Sequence, residues 1–207
     1  MLKEEGEAIP PEIRLIRAFL NTREIAEATD LLSSPEGLRQ WLDDMGLPGN
    51  DENPLPGDVE WMVGIREALR DVLSGHNGNA VPWDSVALLN RATRRIPLVL
   101  RFDNQANPTV VAVAPGVAGA MGRIWEAVAS ARDHGTWERL KACRRPDCRW
   151  IFFDRSKNRS ATWCSTEGCG ALMKSRAYRR RRTARQRGNE SAMSTGTDQG
   201  GAVSWGN

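Results

Sequence analysis

The sequence predicts a mainly α protein with one β-hairpin, built as an N-terminal helical domain followed by a small cysteine-rich finger. Three observations carry that reading. Apolar residues recur at three- and four-residue spacing through most of the first 142 positions, as helices with one buried face require. Two β-rich runs, Leu98–Phe102 and Thr109–Val113, break that rhythm. The only four cysteines among 207 residues stand in two equally spaced pairs, Cys143-x4-Cys148 and Cys164-x4-Cys169.

Taken in order, Pro10-Pro11 precedes Ile13, Leu15, Ile16, Phe19 and Leu20, one face of a first helix. Ser33 or Ser34 with Pro35 opens a second, carrying Leu38, Trp41, Leu42 and Met45 and stopping at Gly46. Residues 48–57 hold Pro, Gly, Asn and acidic side chains and read as a loop. Asp58 is expected to cap a third helix through about Ser74, with Trp61, Ile65, Leu69 and Val72 in step, before a Gly/Asn turn at 75–79. A fourth helix spans about 82–95. The two β-rich runs flank Asp103-Asn104-Gln105-Ala106-Asn107-Pro108 and form a hairpin. Helix returns from Gly116 to about Arg132, and Trp137–Lys141 leads into Cys143. Residues 1–9 read as a flexible N-terminus and 188–207, rich in Ser, Gly, Thr and Asn, as a disordered tail.

Thiolate pairs a few residues apart can turn back on one cation, and tetrahedral zinc takes four soft ligands. The x4 spacing is wider than the C-x2-C of common zinc ribbons, and two disulfides or four separate buried thiols also fit the spacing alone. Disulfides need an oxidising compartment. The charged start, Met1-Leu2-Lys3-Glu4-Glu5-Gly6-Glu7, lacks the apolar run of a signal peptide, which favours zinc and a cytoplasmic location. Four protein thiolates leave no coordination position for water or substrate, so the zinc is expected to be structural, in a treble-clef- or ribbon-like finger over 143–187. No apolar stretch approaches the roughly 20 residues that span a bilayer, so no membrane partner is expected.

The net charge of +3 conceals an asymmetry. Residues 1–142 carry 15 basic and 21 acidic side chains, whereas residues 143–207 carry 14 basic and 5 acidic. Eight of those basic residues lie between Lys174 and Arg187. Polyanions are the natural partners of such a segment, against the alternative of a solvated basic tail.

At the cysteines the wording becomes specific. Cys143-x4-Cys148-x3-Phe152-x-Asp154-x-Ser156-Lys157-Asn158, then Trp163-Cys164-Ser165-x3-Cys169-Gly170 and Lys174-x3-Tyr178-x-Arg180, resemble the CGNR zinc-finger family. Upstream, Ala18–Arg23, Leu38-x2-Trp41-Leu42 and Ile65–Arg70 resemble the ABATE-type domain that precedes this finger in stress-induced transcription regulators. The resemblance implies a bacterial cytoplasmic protein whose helical domain, residues 10–142, senses a ligand and whose zinc finger binds DNA. The chain departs from the family where the name-giving Cys-Gly-Asn-Arg reads Cys169-Gly170-Ala171-Leu172, and where Ala161 and Thr162 stand in place of an Arg before the Trp-Cys pair. If the family's Asn and Arg read bases, that readout is lost or moved; if they brace the fold, Ala171 and Leu172 pack instead.

Ser165 is a good N-cap, so Cys164 and Cys169 should bracket the first turn of a final helix. That helix presents Lys174, Arg176, Arg179, Arg180, Arg181 and Arg182 to phosphate, and Arg155, Lys157, Asn158 and Arg159 form a second candidate edge. Trp150, Phe152, Phe153 and Trp163 suit either stacking on unpaired RNA bases or packing around the metal, and packing is the stronger reading for so small a finger. Asn21, Thr22 and Arg66, polar groups on apolar helices, are candidates to converge on a small acidic ligand. The two histidines lack a catalytic context, and no phosphate loop or zinc-protease motif occurs. The expectation is a non-enzymatic, zinc-dependent regulator that binds double-stranded DNA, with a homodimer as a means of doubling the interface. An RNA-binding protein, a protein-interaction module and an enzyme of unknown type stand as alternatives.

Overall fold

The computed structural model describes residues 9–49 and 53–195. It divides into two compact units, 1–164 and 165–207. Residues 1–8 of the expected flexible N-terminus and 196–207 of the expected tail lie outside the described residues.

The first unit runs α1 (Pro11–Leu20), β1 (Arg23–Glu24), β2 (Thr29–Asp30), α2 (Pro35–Asp44), α3 (Pro56–Gly75), α4 (Trp83–Thr93), β3 (Leu98–Phe102), β4 (Pro108–Ala112) and α5 (Gly116–Asp133). A short turn of 3-10 helix, Trp137–Arg139, leads into β5 (Leu140–Ala142) and β6 (Ile151–Phe153). In α1 the first helical residue is a proline, whose missing N–H would have no partner there in any case. Its Ile13, Ile16, Phe19 and Leu20 are fully buried. In α2 the Ser34 hydroxyl accepts the Gly37 N–H at 3.2 Å, and Gly46 takes φ +59° just beyond the helix, where glycine carries no steric cost.

The start of α3 differs from the expectation. The helix opens at Pro56 with Leu55 as its cap, and Asp58 acts from within the first turn, its carboxylate accepting the Leu55 N–H at 2.8 Å. The buried stripe keeps Ile65 and Leu69 but takes Met62 and Leu73 at its ends. Trp61 and Val72 are only half-buried. An interior face bounded by both α1 and α4 is wide enough to admit either phase.

The core is helical, with α5 against α1 and α3 against α4. β4 lies directly on α5: a Cβ at Gly122 would fall 2.3 Å from the Ala112 Cβ. Among the described residues there are three antiparallel strand pairs, β1–β2, β3–β4 and β5–β6, where the sequence suggested one. β3 and β4 pair as expected, Leu98 opposite Ala112 through Phe102 opposite Pro108. β5 and β6 pair Leu140 with Phe153 and Ala142 with Ile151. Leu140, Ala142 and Ile151 belong to the same apolar core as the helices. The hairpin that carries the first cysteine pair is thus founded in the helical unit, upstream of Cys143.

In the second unit, Ser165 Oγ accepts the Gly168 N–H at 3.0 Å, and the Gly170 N–H reaches back five residues to the Ser165 carbonyl at 2.9 Å. This one wide turn, Thr166–Gly170, feeds α6 (Ala171–Thr195). The helix continues past Arg187, where the tail was expected to begin; Gln186, Glu190, Ala192 and Met193 are good helix formers and offset Gly188 and Asn189. No described helix is long and apolar enough to cross a membrane.

Candidate metal centre and basic helix

The β5–β6 hairpin closes through the Cys143 N–H, which donates to the Trp150 carbonyl at 2.9 Å. Between the strands, the Cys148 and Arg149 N–H groups both donate to the Arg145 carbonyl, at 3.0 and 3.2 Å. The Arg144 N–H donates to the Thr162 carbonyl at 3.1 Å, which draws the segment before Cys164 alongside the first pair.

The four Sγ atoms of Cys143, Cys148, Cys164 and Cys169 all lie within 4.8 Å of one another, and no disulfide joins them. A tetrahedral zinc with Zn–S bonds of about 2.3 Å places sulfurs about 3.8 Å apart. The Cys148–Cys164 separation is 3.8 Å. Cys143 and Cys169 are buried and the other two half-buried, so the donor set is closed and soft. Thiol hydrogen bonds from Cys148 and Cys164 bring the Cys143 thiol down to about 4. The same contacts push Cys164 up, since a second anion beside the first is disfavoured. The cluster therefore accepts one negative charge readily and resists the next, a conflict that a divalent cation removes.

Beneath the loop between the cysteine pairs is a buried ion pair. Lys141 Nζ donates to Asp154 Oδ2 at 2.7 Å and to the carbonyls of Arg159 and Ala161 at 2.5 and 3.2 Å. Asp154 also accepts the Ser156 N–H and hydroxyl at 2.9 and 2.6 Å and the Ala161 N–H at 3.0 Å. Burial would raise the Asp154 carboxyl, but these donors outweigh it and hold it below the usual carboxylate range. All three ammonium protons and both carboxylate oxygens have partners, as a buried pair requires. The result is a fixed loop 154–161.

Helix α3 holds the same hairpin from the other side. Arg70, fully buried, donates to the Arg149 carbonyl at 2.8 Å and to the Leu20 carbonyl. Arg149 sits at φ +51° and its own guanidinium meets Asp71 at 2.6 Å. Asn77 Nδ2 donates to the carbonyls of Ala142 and Thr162, both at 3.0 Å. His76 Nδ1 lies 2.8 Å from the Leu140 carbonyl. Lys141, Asp154, Arg70 and Asn77 were not singled out from sequence. Asp154 and Arg70 carried a signal only as members of the two family resemblances, the finger motif and the Ile65–Arg70 stretch.

Of the nucleic-acid candidates, Lys174, Arg179, Arg180, Arg181 and Arg182 are exposed along α6, and Arg176 is half-buried. Arg155, Lys157, Asn158 and Arg159 are exposed on the loop held by Asp154. Ala171 is exposed and Leu172 half-buried. Phe152 is buried, and Trp150, Phe153 and Trp163 are half-buried. The aromatics thus face inward more than the stacking reading requires.

The ligand candidates come together, but on partners within the chain. Asn21 pairs with the backbone of Ile151 in both directions, donating at 2.9 Å and accepting at 2.8 Å. The Thr22 hydroxyl donates to the Phe19 carbonyl at 2.8 Å and accepts from Arg66 at 3.0 Å. Arg66 grips Asp30 with two bonds, at 2.6 and 2.7 Å. Their donors and acceptors brace α1, β2, α3 and β6.

Two family models match the chain in succession. The first, described as "Putative stress-induced transcription regulator" and named ABATE, matches residues 14–138. The second, the CGNR zinc finger, matches residues 139–182. The chain belongs to the ABATE family and carries a CGNR zinc finger after that domain. A search of curated proteins finds no match to it.

Proposed function

We propose that the protein is a zinc-dependent, DNA-binding transcription regulator, in which the metal fixes the finger and α6 lies against duplex phosphates. The observation that carries this reading is the exposed run Arg179–Arg182 in a helix that begins two residues after Cys169. Zinc is the metal that suits four thiolates in a closed site; bound there it neutralises thiolate charge and holds the turn that starts α6. Arginine suits phosphate because its planar fork offers paired donors. Like charges at Arg176 and Arg180, and at Arg181 and Arg185, stand one helical turn apart and repel. A polyanion relieves that repulsion, so binding and helicity should rise together.

The exposed loop residues Lys157, Asn158 and Arg159 supply a second edge on a fixed backbone. No small ligand is carried forward through Asn21, Thr22 and Arg66, whose polar groups are already used within the fold. The inward setting of the aromatics favours duplex DNA over single-stranded RNA.

The test is a titration of zinc-quantified full-length protein with labelled random duplex DNA and single-stranded RNA at two salt concentrations. The control is the Arg179→Ala, Arg180→Ala, Arg181→Ala, Arg182→Ala variant. Salt-sensitive duplex binding lost in the control supports the reading. Absence of duplex affinity at one zinc per chain would make the finger a structural or partner-docking element.

A further inference from the structure

The β3–β4 ribbon gathers the exposed apolar side chains Leu98, Val99, Leu100, Phe102 and Val110. All five residues of β3 are exposed, and Leu98, Leu100 and Phe102 retain 40, 61 and 66% of their accessible surface. An isolated two-stranded ribbon is marginal in water, and an exposed apolar edge strand is a template for pairing. At the end of β4, α5 engages its far edge, where the Ala112 N–H donates to Glu126 Oε1 at 2.6 Å.

That one bond fixes which way β3 faces. Since the Ala112 N–H points away from β3, Leu98 and Ala112 form a non-hydrogen-bonded pair, and the antiparallel alternation makes Leu100–Val110 and Phe102–Pro108 the same kind. Pro108 has no N–H to give, consistent with that phase. The flanking bonds agree: the Val113 N–H donates to the Pro97 carbonyl at 3.4 Å and the Asp103 N–H to the Asn107 carbonyl at 3.0 Å. Among the described residues no strand pairs with the outer edge of β3, which therefore presents the backbone N–H and C=O groups of Leu98, Leu100 and Phe102.

We propose that this edge is the docking surface for a second copy of the chain, with β3 pairing antiparallel to its counterpart about Leu100. The occupant follows from the strand's symmetry. Centring on Leu100 sets Leu100 against Leu100 and Leu98 against Phe102, so every outward backbone group meets an outward group. All side chains on that face are then apolar. Arg101, the only charge in the strand, falls opposite Val99 rather than another arginine. A one-residue slip would place inward-facing groups at the joint and break the pairing. Two ribbons become one four-stranded sheet with a two-fold axis, the closed symmetry of an isologous dimer. This pairing is independent of whether the protein binds DNA.

The experiment is sedimentation of full-length protein over a concentration range reaching the order of 100 µM, together with amide hydrogen exchange at the two ends of that range. Wild type should be a dimer, and the Leu98, Leu100 and Phe102 amides should gain protection as concentration rises. Leu100→Arg, at a position already exposed, should keep its helical signal and metal content while self-association weakens at least about tenfold. A monomer throughout, or a dimer unchanged by Leu100→Arg, overturns the proposal. So does protection of those amides that is independent of concentration, which would mean that a segment of the same chain occupies the edge. The exchange measurement decides the matter even if Leu100→Arg fails to fold.

Discussion

Arg70 and Arg149 are joined by a bond of 2.8 Å from a fully buried guanidinium to a backbone carbonyl. The acceptor belongs to Arg149, the residue directly after Cys148, held at φ +51°. A non-glycine residue in that conformation costs roughly 1 kcal/mol or more and persists where its surroundings impose it. Arg70 is one such constraint, so the helical domain shapes the loop that presents a metal ligand. Arg70→Met should destabilise the protein by about 2–4 kcal/mol, because two buried carbonyls lose their donor. It should also weaken metal affinity, whereas Arg70→Lys should recover part of both. Denaturant unfolding of the metal-loaded protein and competition with a zinc chelator check the two effects separately.

Lys141 and Asp154 form the second support, and their energies should be non-additive. Removing one partner leaves a buried charge, which costs about 3–5 kcal/mol. Removing both leaves no unpaired charge, but an asparagine keeps only one oxygen, so one of the Ser156 and Ala161 N–H groups still loses its acceptor. A double-mutant cycle with Lys141→Met and Asp154→Asn should therefore give a coupling energy of about 2 kcal/mol, with the double variant still below wild type. A coupling near zero would mean that each residue acts through its backbone partners alone.

Asp30 gives a pH-dependent signature distant in sequence from the cysteines. Burial acts to raise its carboxyl, but the hydrogen bonds and charge of Arg66 prevail and hold it below the ordinary 3.8. A lowered folded value means that the unfolded state takes up the proton first as pH falls. The stabilisation is complete above pH 3.8 and is lost as pH drops through the depressed folded value. Asp30→Asn should cost about 1–3 kcal/mol at neutral pH, because buried Arg66 then keeps Glu67, at 3.0 Å, as its remaining carboxylate. Its deficit relative to wild type should shrink below about pH 4. Urea midpoints of both proteins between pH 3 and 7 test this; a deficit constant with pH would refute the assignment.

The helices were legible because their evidence is local. α1 shows its buried face as Ile13, Ile16, Phe19 and Leu20, and α2 announces its cap at Ser34, all within a few residues. The four cysteines were legible because ligand chemistry restricts both residue type and number. β5 and β6 were not, since three residues cannot display an alternation and Lys141 in the middle of β5 reads as a surface residue. The polar network was not legible either. Arg66 meets Asp30 across 36 positions, Arg70 meets Arg149 across 79 and Asn21 meets Ile151 across 130. Asn21, Thr22 and Arg66 read as candidates for a small acidic ligand, because partners as distant as Ile151 and Asp30 leave no local pattern.

The two basic edges can be separated by salt dependence. For duplex DNA the slope of log affinity against log salt falls by about 0.9 for each phosphate contact removed, whatever the base sequence. Arg179–Arg182 lie on consecutive positions and point around α6, so a single straight duplex face cannot reach all four. Replacing all four by alanine should flatten the slope by about 2–3. Lys157 and Arg159 lie on a loop whose backbone Lys141 and Asp154 immobilise, so they lose little freedom on binding. Lys157→Ala with Arg159→Ala should flatten the slope by about 1–2, and the two sets should add if both edges touch the same duplex. An unchanged slope in the loop variant would restrict the interface to α6. In that case the ion pair beneath the loop serves the finger's stability alone, and Asp154→Asn at saturating zinc should leave duplex affinity as it was.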